Sequence, residues 1–259
     1  MAHRIELGRV FGIPIQLDQS WFVILALVAW SLATGDFPVS VPGASAPVYM
    51  LMGLGAACLL FVCVLLHELG HSVVAKASGI PVNKVTLFIF GGVAQMANDP
   101  TRPLVELKVA LAGPAVSIAL AALCVGLSRF LAGHAPDHVI GAAIVRYLAM
   151  VNIALVVFNL LPGLPLDGGR ILRAIVWAVS GNLHTATRLA SGVGRVLGMG
   201  LVVLGVVAAL RGHWLAGLWD VFLGAFLRNA ALASYHHFLV RQEAEETRRH
   251  PNAGDGSTG

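Results

Sequence analysis

The residues best suited to chemistry lie in the stretch Leu65-Leu66-His67-Glu68-Leu69-Gly70-His71, near the end of a long apolar run. His67 and His71 are four residues apart, so on a helix they project from nearly the same face, about one turn from each other. This spacing lets both imidazoles bind one metal ion, and Glu68 lies beside them, where its carboxylate can accept a proton from an activated water. Each of these polar groups costs free energy in an apolar segment unless it has a partner or a task, so chance explains the motif poorly.

A catalytic zinc site usually has three protein ligands and one open position, so a third ligand is expected. The candidates are Asp167 in a Pro/Gly-rich loop at 159–170, Asp99 in a turn, and Asp220 inside an apolar run. We favour Asp167, because its loop is rigid and lies at the depth expected for the histidines. The alternative is that Asp167 caps a short helix predicted over residues 171–180.

The composition is that of a polytopic membrane protein. The 259-residue chain is 57% hydrophobic and only 12% charged, with a mean hydropathy of +0.81, whereas soluble domains carry about a quarter charged residues. The net charge of +4 comes mostly from basic residues that flank apolar runs, so it does not indicate nucleic-acid binding. Cys58, Cys63 and Cys124 all lie in apolar runs without a C-x-x-C spacing, which predicts packed helix residues and no disulfide framework.

We predict an all-α polytopic membrane fold with six transmembrane helices and one small membrane-associated β-hairpin or re-entrant segment at residues 82–96. A short extended segment is expected at 13–17, and residues 34–46 are expected to form a Pro/Gly loop. Residues 1–240 form one predicted membrane domain, and 241–259 are expected to be a disordered cytoplasmic tail. The predicted spans are about 20–33, 47–77, 104–131, 138–161, 190–210 and 214–238.

The basic residues predict the orientation in the membrane. An even number of spans puts both termini on one side, and most of the 17 basic residues flank the span ends on that side. The opposite side holds only Arg129 and Arg211, and Arg146 falls inside a span. The positive-inside rule therefore predicts cytoplasmic termini in a multi-pass cell-membrane protein. On this topology His71 and Asp167 both lie near cytoplasmic helix ends, which favours a shared site.

Several motifs in this order resemble the site-2 protease (peptidase M50) family of intramembrane zinc metalloproteases. The match covers most of residues 8–240. The branch it resembles often continues into a cytosolic CBS-domain pair, and because the sequence stops at Gly259 we expect that module to be absent. The motifs are His67-Glu68-Leu69-Gly70-His71, Phe90-Gly91-Gly92-Val93-Ala94, Ala112-Gly113-Pro114 and the 159–170 stretch Asn-Leu-Leu-Pro-Gly-Leu-Pro-Leu-Asp-Gly-Gly-Arg.

The resemblance implies one zinc ion per chain, bound by His67, His71 and Asp167, with Glu68 as the catalytic acid and base. It also implies that Asn159 steadies the scissile carbonyl or its oxyanion. The implied substrate is a single-span membrane protein that unwinds near the cytoplasmic face and is cut within or near its transmembrane segment. The two competing interpretations are a catalytically silent scaffold and a metal transporter. The sequence does not specify the oligomeric state.

Overall fold

The computed structural model describes residues 5–89, 91–134 and 138–249. The chain divides into two compact units, Met1–Asn159 and Leu160–Gly259. The first unit contains a small β-sheet and the helices that lie between residues 20 and 159. The second unit is helical in its described part.

The sheet of the first unit has four strands in the order β1-β2-β3-β4. β2 pairs in parallel with β3, and the other two pairs are antiparallel. The predicted hairpin at 82–96 is β3 and β4, and the predicted extended segment at 13–17 is β2, where buried side chains alternate with half-buried ones. β1 was not predicted from the sequence. The strands are β1 (Ile5–Val10), β2 (Ile13–Leu17), β3 (Val82–Phe88) and β4 (Gly91–Met96).

The first span is longer than predicted. Helix α1 (Ser20–Ser31) continues through a π-helical turn, Leu32–Asp36, into the short helix α2 (Phe37–Ser40). The predicted loop at 34–46 is therefore helical up to Ser40. The physical reason is tertiary packing, because Phe37 is fully buried in a core cluster, and Pro38 lies in the first turn of α2, where a missing N–H costs nothing.

Three long helices complete the first unit: α3 (Ala46–Ala77), α4 (Pro103–His134) and α5 (Val139–Asn159). All three agree with the predicted spans to within a few residues. α3 and α4 approach closely at Gly70, where an added Cβ would lie 2.9 Å from Val116 Cγ2 and 3.0 Å from the Ala112 carbonyl oxygen. This tight crossing brings one face of α4 against the histidine face of α3.

The second unit consists of α6 (Asp167–Ser180), α7 (Leu183–Leu210) and α8 (Trp214–Arg249). α7 begins before the predicted residue 190 because Asn182 caps it, with the Thr185 N–H donating to Asn182 Oδ1 at 3.0 Å. α8 continues to Arg249, so residues 241–249 are helical and were wrongly expected to be disordered. Residues 250–259 of the predicted tail lie outside the described residues.

Among the described residues, six helices are long and apolar enough to cross a membrane. Their bounds are Ser20–Ser40, Ala46–Ala77, Pro103–Leu131, Val139–Asn159, Leu183–Leu210 and Trp214–Ala244. α6 has 14 residues and is too short to span a bilayer, which needs about 20 apolar residues. The predicted fold class, six transmembrane helices with a small β element, is confirmed.

Candidate metal centre

The two motif histidines are buried on α3 and held through their Nδ1 atoms by α4. His71 Nδ1 donates a hydrogen bond to the Val109 carbonyl oxygen at 2.7 Å. A carbonyl only accepts, so a neutral His71 ring keeps its Nε2 lone pair for another partner. His67 Nδ1 is hydrogen-bonded to Ser117 Oγ at 2.9 Å, which orients the second ring. Both rings therefore have the support from a neighbouring group that metal-ligating histidines usually have.

The spacing of the two Nε2 atoms fits a zinc ion. They lie 3.2 Å apart, and two ligand nitrogens about 2.05 Å from one tetrahedral zinc would be about 3.3 Å apart. Gly113 of α4 leaves the space in front of them, because an added Cβ there would lie 2.6 Å from His67 Nε2 and would also collide with His71 Nε2. The two nitrogens and the space left by the absence of a side chain at Gly113 together suit a small cation.

Glu68 projects toward the sheet, whereas the two histidines of the motif face α4. Its side chain is half-buried and lies against Gly92 of β4. A Cβ added at Gly92 would be 3.1 Å from Glu68 Cδ and 3.3 Å from its Oε1. Among the described strands β4 pairs with β3 alone, so it is an edge strand of the sheet. The Glu68 carboxylate therefore lies beside an edge strand that can pair with another extended chain.

Asp167 is the first residue of α6, and its side chain is buried. The loop before it is held within the second unit, where the Leu164 N–H donates to the Ala190 carbonyl oxygen at 3.1 Å. A Cβ added at Gly163 would lie 2.6 Å from Gly194 Cα, so loop and α7 touch backbone to backbone. The helix starts at Asp167 with Leu166 as its N-cap residue, so Asp167 does not precede a helix beginning at 171 as the capping alternative required.

His67, His71 and Asp167 are all buried, and each offers one ligand atom of a kind that zinc binds. Asp99 is exposed after β4, and Asp220 is half-buried on α8. Asn159, the fifth predicted site residue, is the half-buried last residue of α5.

The sequence analysis placed Gly113 in a motif, but it did not assign Val109, Gly113 or Ser117 a contact with the histidines. Val109, Gly113 and Ser117 are spaced by four, so they share one helix face. That face supplies the carbonyl and hydroxyl partners of the histidines and the space between them. The sequence signal for this face is an i, i+4, i+8 pattern of small or β-branched residues, which is common at any helix contact.

A family model, peptidase family M50, matches residues 55–145 and 133–201, more than half of the chain. The chain belongs to peptidase family M50. The match includes both histidines, Glu68 and Asp167. The ion implied by this membership is zinc, and the donor set of two imidazoles and one carboxylate suits it. Membership and the six apolar helices together make this an integral membrane protein.

Curated relatives agree with this assignment. A candidate zinc metalloprotease of Synechocystis sp. is 40% identical over 245 residues, which are 95% of this chain and 63% of that protein. A candidate zinc metalloprotease of Mycobacterium tuberculosis is 43% identical, covering 89% of this chain and 58% of that protein. The chain thus spans about three fifths of the length of these curated relatives.

A solved structure is also similar to this chain. The site-2 protease from Methanocaldococcus jannaschii superimposes with a TM-score of 0.57 and 28% identity, covering 90% of this chain and 95% of that one. This similarity extends beyond the part matched by the family model, so it supports the six-helix fold over nearly the whole chain.

Proposed function

We propose that this protein is a zinc-dependent intramembrane endopeptidase that hydrolyses a peptide bond within or near the transmembrane segment of single-span membrane proteins. The observation that carries the proposal is the pair of oriented imidazoles with Glu68 between them in sequence, on a helix apolar enough to cross a membrane. Membership in a peptidase family supports the same reaction class.

We assign the metal to the Nε2 atoms of His67 and His71 and to the carboxylate of Asp167, one ion per chain. Zinc, when bound at such a site, polarises a peptide carbonyl and lowers the pKa of water. The hydrogen bonds that the two rings make with Ser117 Oγ and the Val109 carbonyl oxygen keep both rings in place during the reaction. The rigid loop before α6 does the same for Asp167.

Glu68 is assigned the proton transfers. Its carboxylate accepts a proton from the attacking water, whose oxygen forms the new bond to the carbonyl carbon. The same proton then goes to the amide nitrogen as the C–N bond breaks, so Glu68 ends as it began. Asn159 is assigned to steady the carbonyl oxygen, because an amide N–H₂ can donate to developing negative charge there.

Strand β4 is assigned to hold the substrate. A helical peptide bond is closed to attack, so the substrate must unwind before hydrolysis. An unwound stretch that pairs with the edge of β4 satisfies its backbone groups in an apolar setting. The contact between Gly92 and Glu68 then puts the carboxylate beside that stretch. The distribution of basic residues predicts cytoplasmic termini, and this prediction supports chemistry near the cytoplasmic face.

The test is cleavage of epitope-tagged single-span proteins co-expressed with the enzyme in a host lacking its own members of this family. Glu68→Gln should keep zinc near the wild-type level while cleavage falls by about a hundredfold. Asp167→Ala should lower zinc content and cleavage together. Asp220→Asn and the exposed Glu6→Gln are matched controls that should change neither.

Three results would contradict the proposal. Full cleavage by Glu68→Gln would show that this carboxylate is not the base. Retention of zinc and cleavage by Asp167→Ala, with zinc lost in Asp220→Asn, would move the third ligand to α8. A wild-type protein that holds zinc but cuts no single-span protein would favour the scaffold or transporter interpretation.

A further inference from the structure

The second unit carries a largely apolar groove between α7 and α8 with two arginines among its lining residues, all of which belong to that unit. Its volume is about 280 Å³, close to the lower end of ligand pockets. Two of the lining side chains are arginines and none is acidic. The lining residues are Gly192, Arg195, Val196, Met199, Arg228 and Leu232.

The packing of α7 on α8 sets the two arginines opposite each other. A Cβ added at Gly198 would lie 2.7 Å from the Arg228 backbone nitrogen, and one added at Gly194 would lie 3.1 Å from Ala231 Cβ. The antiparallel register therefore places Arg195, next to Gly194, across from the turn of α8 that begins at Arg228. Both arginine side chains are exposed.

Both arginines also lie at the same depth. Along the helix axis, Arg195 lies about 22 Å before the end of α7 at Leu210. Arg228 lies about 21 Å after the start of α8 at Trp214. The turn between these helices carries Arg211, His213 and Trp214, residue types that favour a membrane surface. Because the hydrocarbon core is about 30 Å thick, both guanidinium groups lie just short of the opposite headgroup layer, within reach of it.

We propose that this groove binds one anionic phospholipid, with its phosphate between Arg195 and Arg228 and the start of one acyl chain along Val196 and Met199. Two guanidinium groups can donate several charge-assisted hydrogen bonds to a phosphate. Two unbalanced cations at the edge of the hydrocarbon are costly without an anion, and no carboxylate lines the groove to supply one. Val196 and Met199 are 71% and 46% exposed, so the apolar part of the groove opens to lipid. Basic pockets between transmembrane helices suit phospholipid headgroups.

The test is native mass spectrometry of the purified full chain in detergent, titrated with phosphatidylglycerol, with phosphatidylcholine, or with inorganic phosphate. Wild type should retain one phosphatidylglycerol in preference to phosphatidylcholine and should not be saturated by inorganic phosphate. Arg195→Gln and Arg228→Gln should each weaken phosphatidylglycerol binding about fivefold, and the double variant about twenty-fivefold. Arg211→Gln, which removes the same charge at the turn on the other side, should bind like wild type.

Equal phosphatidylglycerol affinity in wild type and the double variant overturns the proposal. Equal retention of phosphatidylcholine and phosphatidylglycerol also overturns it, since charge then makes no contribution. Saturation by inorganic phosphate alone would make the groove a free-anion site. A dimer present in wild type and lost in the double variant would assign the groove to a second copy of the chain. Matching melting temperatures of the double variant and Arg211→Gln show that the loss is not one of folding.

Discussion

The sharpest prediction concerns Gly113, the residue of α4 that faces both histidine rings. A Cβ added there would lie 2.6 Å from His67 Nε2 and would also collide with His71 Nε2. Ordinary contacts of a Cβ begin near 3.4 Å, so Gly113→Ala must displace the His67 nitrogen by about 0.8 Å relative to α4. Metal–ligand distances tolerate only about ±0.2 Å. The required shift is therefore about four times the tolerance.

The displacement should cost zinc affinity far more than stability. Losing a supporting hydrogen bond alone costs about 10- to 100-fold in metal affinity, and here the ligand atoms themselves must move. We expect Gly113→Ala to weaken zinc binding by about 100-fold or more. The measurement is competition for zinc with a chromophoric chelator at fixed pH, with circular dichroism and size-exclusion chromatography to show that the six-helix fold remains.

The same helix offers a matched control. Gly126 is also on α4, it is exposed, and nothing lies within 4 Å of a Cβ built on it. Gly126→Ala makes the same chemical change and gains helix propensity of up to about 1 kcal/mol, so it should bind zinc like wild type. Wild-type zinc affinity in folded Gly113→Ala would refute the reasoning, because the two Nε2 atoms could not then converge in front of this glycine.

Three further predictions concern Gly92, Ser117 and the orientation of the chain in the membrane. Gly92→Ala should keep zinc but lower cleavage, because its Cβ would displace the Glu68 side chain; lost zinc would contradict it. Ser117→Ala should weaken zinc binding by about 10- to 100-fold in chelator competition, because His67 Nδ1 loses its partner; unchanged affinity would show that this bond does not orient the ring. Reporters inserted at Gly43 and fused after Gly259 should report opposite sides of the membrane, and matching signals would reject the predicted topology.

The long apolar helices were predictable from the sequence, and the exceptions have physical causes. Hydropathy and breaker residues gave α3, α4 and α5 to within a few residues, because lipid leaves the backbone few alternatives to a helix. The continuation of the first span to Ser40 depends on burial of Phe37 against residues far away in sequence, and no local signal carries that. α7 begins early because the side chain of Asn182 caps it. The residues next to this cap are polar, so hydropathy alone predicts a loop there.

The sheet was predicted only in part for a similar reason. The alternation at Ile13, Ile15 and Leu17 and the strand formers at 82–96 indicated extended structure. The parallel pairing of β2 with β3 joins segments about seventy residues apart, as in Ile15 with Val85. Such pairing depends on long-range packing and leaves no local pattern. β1 has only exposed residues, so it lacks the alternation that identifies a half-buried strand.

The candidate site shows which functional residues a sequence can carry by itself. His67, Glu68, His71 and Asp167 are predictable because their chemistry is unusual in an apolar chain, and their roles stay predictions until zinc and cleavage are measured. Gly92 and Gly113 belong to motifs visible in the sequence, but a glycine or a serine such as Ser117 does not by itself indicate a contact with the site, because both are ordinary residues of packed membrane helices and turns. Their roles can be inferred only from the atoms that lie next to them in the structure.

The angle between consecutive side chains on α3 explains why metal binding and proton transfer can be changed separately. Consecutive helix residues point about 100° apart, so His67 faces α4 while Glu68 faces β4. The histidines take their support from Ser117 and the Val109 carbonyl of α4, and Glu68 has Gly92 of the edge strand beside it. A change on α4 should therefore act through zinc affinity, whereas a change on β4 should act through cleavage at full zinc occupancy. The opposite pattern would place the base on the metal-binding face of the helix, where the two imidazoles and Gly113 leave it no room.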